Sequence, residues 1–271
     1  MRFGRFSWNH FRRLSLCGWI FGLVFVLGGL SILSADTLPP TSAGSSVTQI
    51  FAAGDSTAAP YSPKQAPMMG WAQALGSLTV EGAVVRDRAV CGRSTKSFRE
   101  EGRWDRILRD MKPGDYVLIQ FGHNDQKVGR PGYAEAWTDF KANLIRFVKE
   151  VREKGGNPIL VTSVTRRVFD EDGNLTFSLK EYPEALRQAA RETETPLVDL
   201  YVLTREWVER AGVEKSARFY MNLEPGEEPN YPNGNRDNTH FHRDGAQAVA
   251  EMFVREVQRQ GLSIGNCFRK P

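Results

Sequence analysis

Ser56, Asp237 and His240 are the side chains whose types and positions could carry nucleophilic chemistry in this sequence. Ser56 lies in Gly54-Asp55-Ser56-Thr57, directly after the apolar run Ile50-Phe51-Ala52-Ala53. A glycine there lets the chain turn sharply and hold a hydroxyl clear of a sheet end. A hydroxyl at neutral pH needs a nearby base, and the base needs a third group to fix its tautomer and stabilise its charged form. Asp237 and His240, three residues apart in one turn before the last helical stretch, meet both needs. The competing reading is that Asp237 only caps that helix and His240 is an ordinary surface histidine. His242 and His123 are the other candidate bases; His242 ranks below His240 and is expected at a pocket rim or in solvent.

Acyl transfer also needs donors aimed at the oxygen that becomes negative. Cys91-Gly92-Arg93-Ser94 and Gly122-His123-Asn124-Asp125 each follow a predicted strand. The backbone N–H of Gly92, the side-chain amide of Asn124 and the N–H of Ser56 therefore form a candidate oxyanion hole. With four histidines and neither a His-x-x-x-His nor a Cys-x-x-Cys pair, no metal site is expected, and no cofactor is called for by the chemistry above.

Elements able to bring such distant segments together follow from the hydrophobic pattern. Short apolar runs at 47–53, 80–85, 116–121, 158–162 and 197–200 read as strands, and helical spacing occupies 70–78, 104–111, 134–154, 182–193 and 203–211. That alternation predicts an α/β domain with a parallel sheet covered on both faces. A last helix over 244–259 carries a core-facing stripe of Ala246, Val249, Ala250, Phe253 and Val257. Long proline-rich segments at 57–69 and 215–236 interrupt the rhythm. Ligands in such sheets bind beyond the carboxyl ends of the strands, so both loops are expected to shape one pocket.

Residues 1–35 read as a signal peptide, with Arg2, Arg5, Arg12 and Arg13 ahead of an uncharged apolar run from Leu14 to Leu33. An uncleaved membrane anchor is the alternative, and either places the protein in a secreted or periplasmic setting. Residues 36–46, rich in Pro, Ser, Thr and Gly, form a linker, leaving 47–271 as the catalytic domain. The full chain carries 36 Lys and Arg against 32 Asp and Glu, but four of the arginines and none of the acids precede Asp36. The remaining chain is balanced, which gives no reason to expect nucleic acid or an anionic membrane as partner. Cys91 and Cys267 are the cysteines beyond the leader, and sequence alone leaves their pairing open.

Taken together, the four motifs resemble those of the SGNH or GDSL-type hydrolases, named for Ser, Gly, Asn and His, here Ser56, Gly92, Asn124 and His240. Longer strings are most similar to the rhamnogalacturonan acetylesterases: Gly54 to Thr57 followed by Gly70-Trp71, then Gly92-Arg93-Ser94 leading to Gly102-Arg103-Trp104-Asp105, Gln120 to Asp125, and Asp237 to Phe241. The resemblance implies a three-layer α/β/α flavodoxin-like fold with a five-stranded parallel sheet and no metal. It also implies removal of acetyl groups from pectic or related polysaccharide through an acetyl-enzyme; separately, a monomer is expected. The alternatives are an esterase of lipid or acyl substrates and a non-catalytic carbohydrate-binding protein. Asp55 and Asp125 are expected to brace their loops. Trp71, Tyr231, His123 and His242 are candidate substrate contacts, the aromatics by stacking on sugar rings.

Overall fold

The computed structural model describes residues 47–271; the leader and linker expected at 1–46 lie outside the described residues. The central sheet holds β1 (Thr48–Gly54), β2 (Ala83–Asp87), β3 (Tyr116–Gln120), β4 (Asn157–Val161) and β5 (Leu197–Val198). They run in the order β2-β1-β3-β4-β5, every pair parallel. The flanking helices are α1 (Trp71–Leu75), α2 (Thr95–Glu100), α3 (Arg103–Asp110), α4 (Lys141–Glu153), α5 (Tyr182–Glu192), α6 (Leu200–Ser216) and α7 (Arg243–Arg259).

Alternation along β1 divides the two cores. Ile50 and Ala52 pack with Trp71 of α1, Val208 of α6 and Phe253 of α7, whereas Phe51 and Ala53 pack with Ile107 of α3, Leu144 of α4 and Leu186 of α5. Strands buried on both faces have no polar face to show, which is why they read as unbroken apolar runs. The expected three-layer α/β/α fold is therefore the one observed.

Three departures bear on the site. α2, capped by the Ser94 side chain on the Ser97 N–H, was not expected and positions the loop that carries Gly92. The helix expected over 134–154 starts as a π-helical turn, Ala136–Phe140, before α4. A second sheet pairs β6 (Tyr220–Leu223), inside the segment read as loop, with β7 (Asn235–Phe241), which begins at its end and runs through the expected turn, antiparallel. Asp237 and His240 lie on β7 rather than in a free turn. Tyr220 pairs with Phe241 and Asn222 with Arg236, so a single residue, Met221, faces the four residues Asp237 to His240. This bulge curls the strand enough for side chains three residues apart to meet.

Gly54 also has a different reason from the one its position suggested. Its φ is not left-handed; a Cβ there would lie 3.1 Å from the Gln120 carbonyl oxygen and 3.2 Å from the Ala58 Cβ. Close packing under the serine turn, not the turn itself, asks for glycine. Gly70 is tighter, since a Cβ would fall 2.2 Å from the carbonyl oxygens of both Ala58 and Ala59. Gly70→Ala should cost about 1–3 kcal/mol through forced backbone movement. Gly76→Ala, whose Cβ meets nothing within 4 Å in right-handed helical backbone, should be neutral or slightly stabilising. Urea denaturation of the two variants tests this; equal stabilities would contradict the packing account.

Candidate active site

The serine turn is built around a buried carboxylate. The Asp55 carbonyl accepts the N–H groups of Ala58 and Ala59, and its carboxylate accepts the Thr57 N–H at 2.9 Å and hydroxyl at 2.8 Å. Its other oxygen lies 3.3 Å from His123 Nδ1. Burial works against charge on Asp55, but the facing His123 and the Thr57 hydrogen bonds outweigh it and hold the carboxyl below its ordinary value. Beneath the turn, Trp71 Nε1 donates to Gln120 Oε1 at 3.0 Å, and Gln120 Nε2 donates to Ser163 Oγ at 3.2 Å. Tyr61 closes the turn from above, its hydroxyl donating to the Ser56 carbonyl at 2.8 Å.

β7 delivers the partners. His240 Nε2 is 2.8 Å from Ser56 Oγ, and His240 Nδ1 is 2.6 Å from Asp237 Oδ2. Asp237 Oδ1 accepts the N–H groups of Thr239, at 2.7 Å, and His240, at 3.1 Å. The carboxylate thus grips His240 by ring and backbone together, which fixes the imidazole against the hydroxyl. Burial raises the Asp237 pKa, but its hydrogen bonds and the nearby imidazole win, leaving the carboxyl below its ordinary value and ionised at neutral pH.

Two backbone donors in the loops after β1 and β2 have no intramolecular partner among the described residues: the N–H of Ser56 and the N–H of Gly92. Gly92 sits at φ +77°, a left-handed conformation that side chains disfavour. Asn124 is held from both ends, its Nδ2 donating to the Arg93 carbonyl at 3.0 Å and its Oδ1 accepting from Lys127 Nζ at 2.7 Å. One amide hydrogen remains for a reacting oxygen.

Other expected residues fall elsewhere. Trp71 is fully buried against Phe253 and cannot stack on a substrate. His123 is likewise enclosed, with its side chain 3% exposed, and its place is under the serine turn rather than against a ligand. Tyr231 is half-buried and its hydroxyl donates to the Gln65 carbonyl at 3.1 Å, so it ties the two long loops together. His242, not Asp237, is the N-cap of α7, its Nδ1 accepting the Asp244 N–H at 3.3 Å. Cys91 and Cys267 are free thiols. Tyr61, Lys127 and Arg166 were missed; no motif marks them, because they enter through loop conformation alone.

Asp125 braces its loop as expected, its Oδ1 accepting the Thr95 N–H at 2.8 Å and hydroxyl at 2.6 Å. Its Oδ2 is buried without a partner. Burial pushes its pKa up to about 7, since an ionised carboxylate in that position lacks solvation.

The chain matches the GDSL-like Lipase/Acylhydrolase family over residues 52–248 and belongs to that family; it is a carboxylic ester hydrolase. Rhamnogalacturonan acetylesterase RhgT of Bacillus subtilis (strain 168) is 45% identical over 216 residues, 80% of this chain and 92% of the relative. The rhamnogalacturonan acetylesterase of Emericella nidulans is 28% identical over 238 residues, covering 80% and 87%. The solved structure of YxiM from Bacillus subtilis aligns with TM-score 0.68 at 31% identity, over 80% of this chain, which spans 57% of that one. Axe2, an acetylxylan esterase from Geobacillus stearothermophilus, shares the fold at TM-score 0.56 and 19% identity, covering 78% and 94%.

Two outcomes follow. Ser56→Ala and His240→Ala should each lower kcat for p-nitrophenyl acetate by about 10³-fold or more, and His242→Ala far less; a larger loss at His242 would reassign the base. The raised Asp125 pKa means that this group's contribution to stability is full below its unfolded value near 4 and is lost as pH rises through about 7. Asp125→Asn keeps the oxygen that faces Thr95, so the fall in urea midpoint between pH 5 and pH 8 should shrink. An unchanged fall would place the titration elsewhere.

Proposed function

We propose that this chain is a serine acetylesterase that removes acetyl groups from rhamnogalacturonan-type pectic polysaccharide or its oligosaccharides. The observation that carries the reading is the hydrogen-bonded chain Ser56–His240–Asp237, with unpaired N–H donors beside it. Ser56 Oγ attacks the acetyl carbonyl carbon while His240 Nε2 takes its proton, and Asp237 stabilises the imidazolium. The carbonyl oxygen, now negative, is met by the N–H groups of Ser56 and Gly92 and the Asn124 amide. Collapse of the intermediate breaks the ester bond, and His240 returns the proton to the departing sugar hydroxyl. Water, activated by His240 in turn, attacks acetyl-Ser56 and releases acetate.

The substrate assignment is supported by the relatives named rhamnogalacturonan acetylesterase. Charged residues line the cleft beside Gly92 and Asn124, including Arg93, Glu101, Lys127 and Arg130, which suits a sugar better than an acyl tail. Among the described residues no helix is long and apolar enough to cross a membrane. The arginine-led apolar leader supports a secreted or periplasmic enzyme, acting on substrate outside the cytoplasm.

The test is acetate release from acetylated rhamnogalacturonan, with acetylated xylan and p-nitrophenyl esters of increasing chain length alongside. The wild-type enzyme should release acetate from the pectic substrate and favour acetyl over octanoyl esters by about 10-fold or more, and Ser56→Ala should do neither. A preference for long acyl chains would instead mark an esterase of lipid substrates.

A further inference from the structure

Asn124 can give a hydrogen to the oxyanion only when its amide is set the right way round, and an asparagine amide fits either way in the same volume. Two neighbours decide between the settings. The Arg93 carbonyl accepts from Asn124 Nδ2 at 3.0 Å, and Lys127 Nζ donates to Asn124 Oδ1 at 2.7 Å. Reversing the amide would set its oxygen against a carbonyl and its NH2 against an ammonium. Two hydrogen bonds would become two repulsions.

The two ends are held differently. Arg93 is fixed by its own side chain, whose Nε lies 3.0 and 3.2 Å from the two carboxylate oxygens of Glu101 and whose Nη1 donates to the Cys91 carbonyl at 2.9 Å. Its carbonyl is thus a rigid, neutral acceptor. Lys127 lies on the same turn as Asn124, where its backbone N–H donates to the Asn124 carbonyl at 3.2 Å while its ammonium reaches the side chain. The loop itself is pinned from outside by Asp125 on Thr95, so the ammonium has a fixed amide to act on.

Charge at this place is opposed. Burial and then the Arg166 guanidinium hold the Lys127 pKa below its ordinary value, with Arg130 adding to the fall and Asp55 working against it. A charged donor does what a neutral one does less well. Bound to the amide oxygen, it draws electron density from the nitrogen and makes the remaining N–H a stronger donor. The acetyl carbonyl is neutral in the ground state and negative in the intermediates of both acylation and deacylation, so a stronger donor favours the transition states over the bound ester. Resting on the acetylesterase reading and its oxyanion hole, we propose that Lys127 is a positioning residue of the reaction: its ammonium selects the setting of the Asn124 amide and polarises it, acting on the oxyanion through Asn124 without touching the substrate.

The experiment is steady-state kinetics of the full chain on p-nitrophenyl acetate, which carries no sugar, so that contacts to a polysaccharide do not enter. The variants are Lys127→Met, Lys127→Arg, Asn124→Ala and the double variant Lys127→Met with Asn124→Ala. Asn124→Ala should lower kcat by about 10²- to 10³-fold, the worth of one oxyanion donor, and Lys127→Met by about 10- to 100-fold, since it weakens that donor without removing it. KM should stay within about 3-fold in Lys127→Met. Lys127→Arg, which restores charge and donor, should recover most of kcat. The double variant should be no slower than Asn124→Ala alone, because a residue that acts through Asn124 has nothing left to act on. Lys127 is exposed, so the urea midpoint of Lys127→Met should match that of the wild type. A kcat near wild type in Lys127→Met, a loss repeated in full on the Asn124→Ala background, or a Lys127→Arg as slow as Lys127→Met would overturn the proposal and leave the esterase reading standing. Asn124→Ala at wild-type rate would overturn the oxyanion role of Asn124 and this proposal with it, and an active Ser56→Ala would overturn the esterase reading itself.

Discussion

The hydrogen bond between His240 Nε2 and Ser56 Oγ joins residues 184 positions apart, and the molecule is arranged so that this contact survives. Ser56 follows β1, an interior strand of the main sheet, but His240 does not; it arrives on a two-stranded sheet that must be seated on the main one. The clamps are visible on both sides. Tyr220 donates its hydroxyl to the Thr165 carbonyl, Arg167 N–H donates to the Asn238 carbonyl, and Arg167 Nη1 donates to Asn238 Oδ1. From the serine side, Met69 N–H donates to the Phe241 carbonyl, and Met68 bridges to His242. The segment after β4 and the end of the loop that follows the serine thus hold the β6–β7 pair between them.

Polar groups buried around the serine divide into two kinds. Asp55, Thr57, Trp71, Gln120 and Ser163 satisfy one another beneath the turn, which makes a rigid platform, because a buried polar group left unpaired costs about 1–3 kcal/mol. The N–H groups of Ser56 and Gly92 are left without partners among the described residues, as the oxyanion hole proposed for them requires. A donor held ready for a transition state cannot be spent on the fold. Lys127 stands between the two kinds, since one of its bonds orients Asn124 and the others face the cleft.

Much of this was legible in the sequence. The parallel strands could be read because burial on both faces leaves an unbroken apolar run, and the motifs after β1, β2 and β3 could be read because function in such sheets gathers at their carboxyl ends. β6 and β7 could not. Asn235-Arg236-Asp237-Asn238-Thr239-His240 has no apolar alternation, and its bulge breaks the period of two on which strand reading depends. Chemistry alone brought Ser56, Asp237 and His240 together, and the structure sets them within hydrogen-bond distance, while the backbone that carries the last two was assigned wrongly. Trp71 and His123 show the converse. Their types invite a ligand, yet tertiary packing encloses both, and nothing local to either residue distinguishes an aromatic in the core from one in a pocket.

The central claim is that His240, and no other histidine, activates Ser56. Labelling with a fluorophosphonate, mapped by peptide mass spectrometry and followed in time, tests it most directly. The account predicts a single modification, at Ser56, whose rate collapses in His240→Ala and persists in His242→Ala and in the wild type. Modification at another serine, or an undiminished rate at Ser56 without the His240 imidazole, would contradict it.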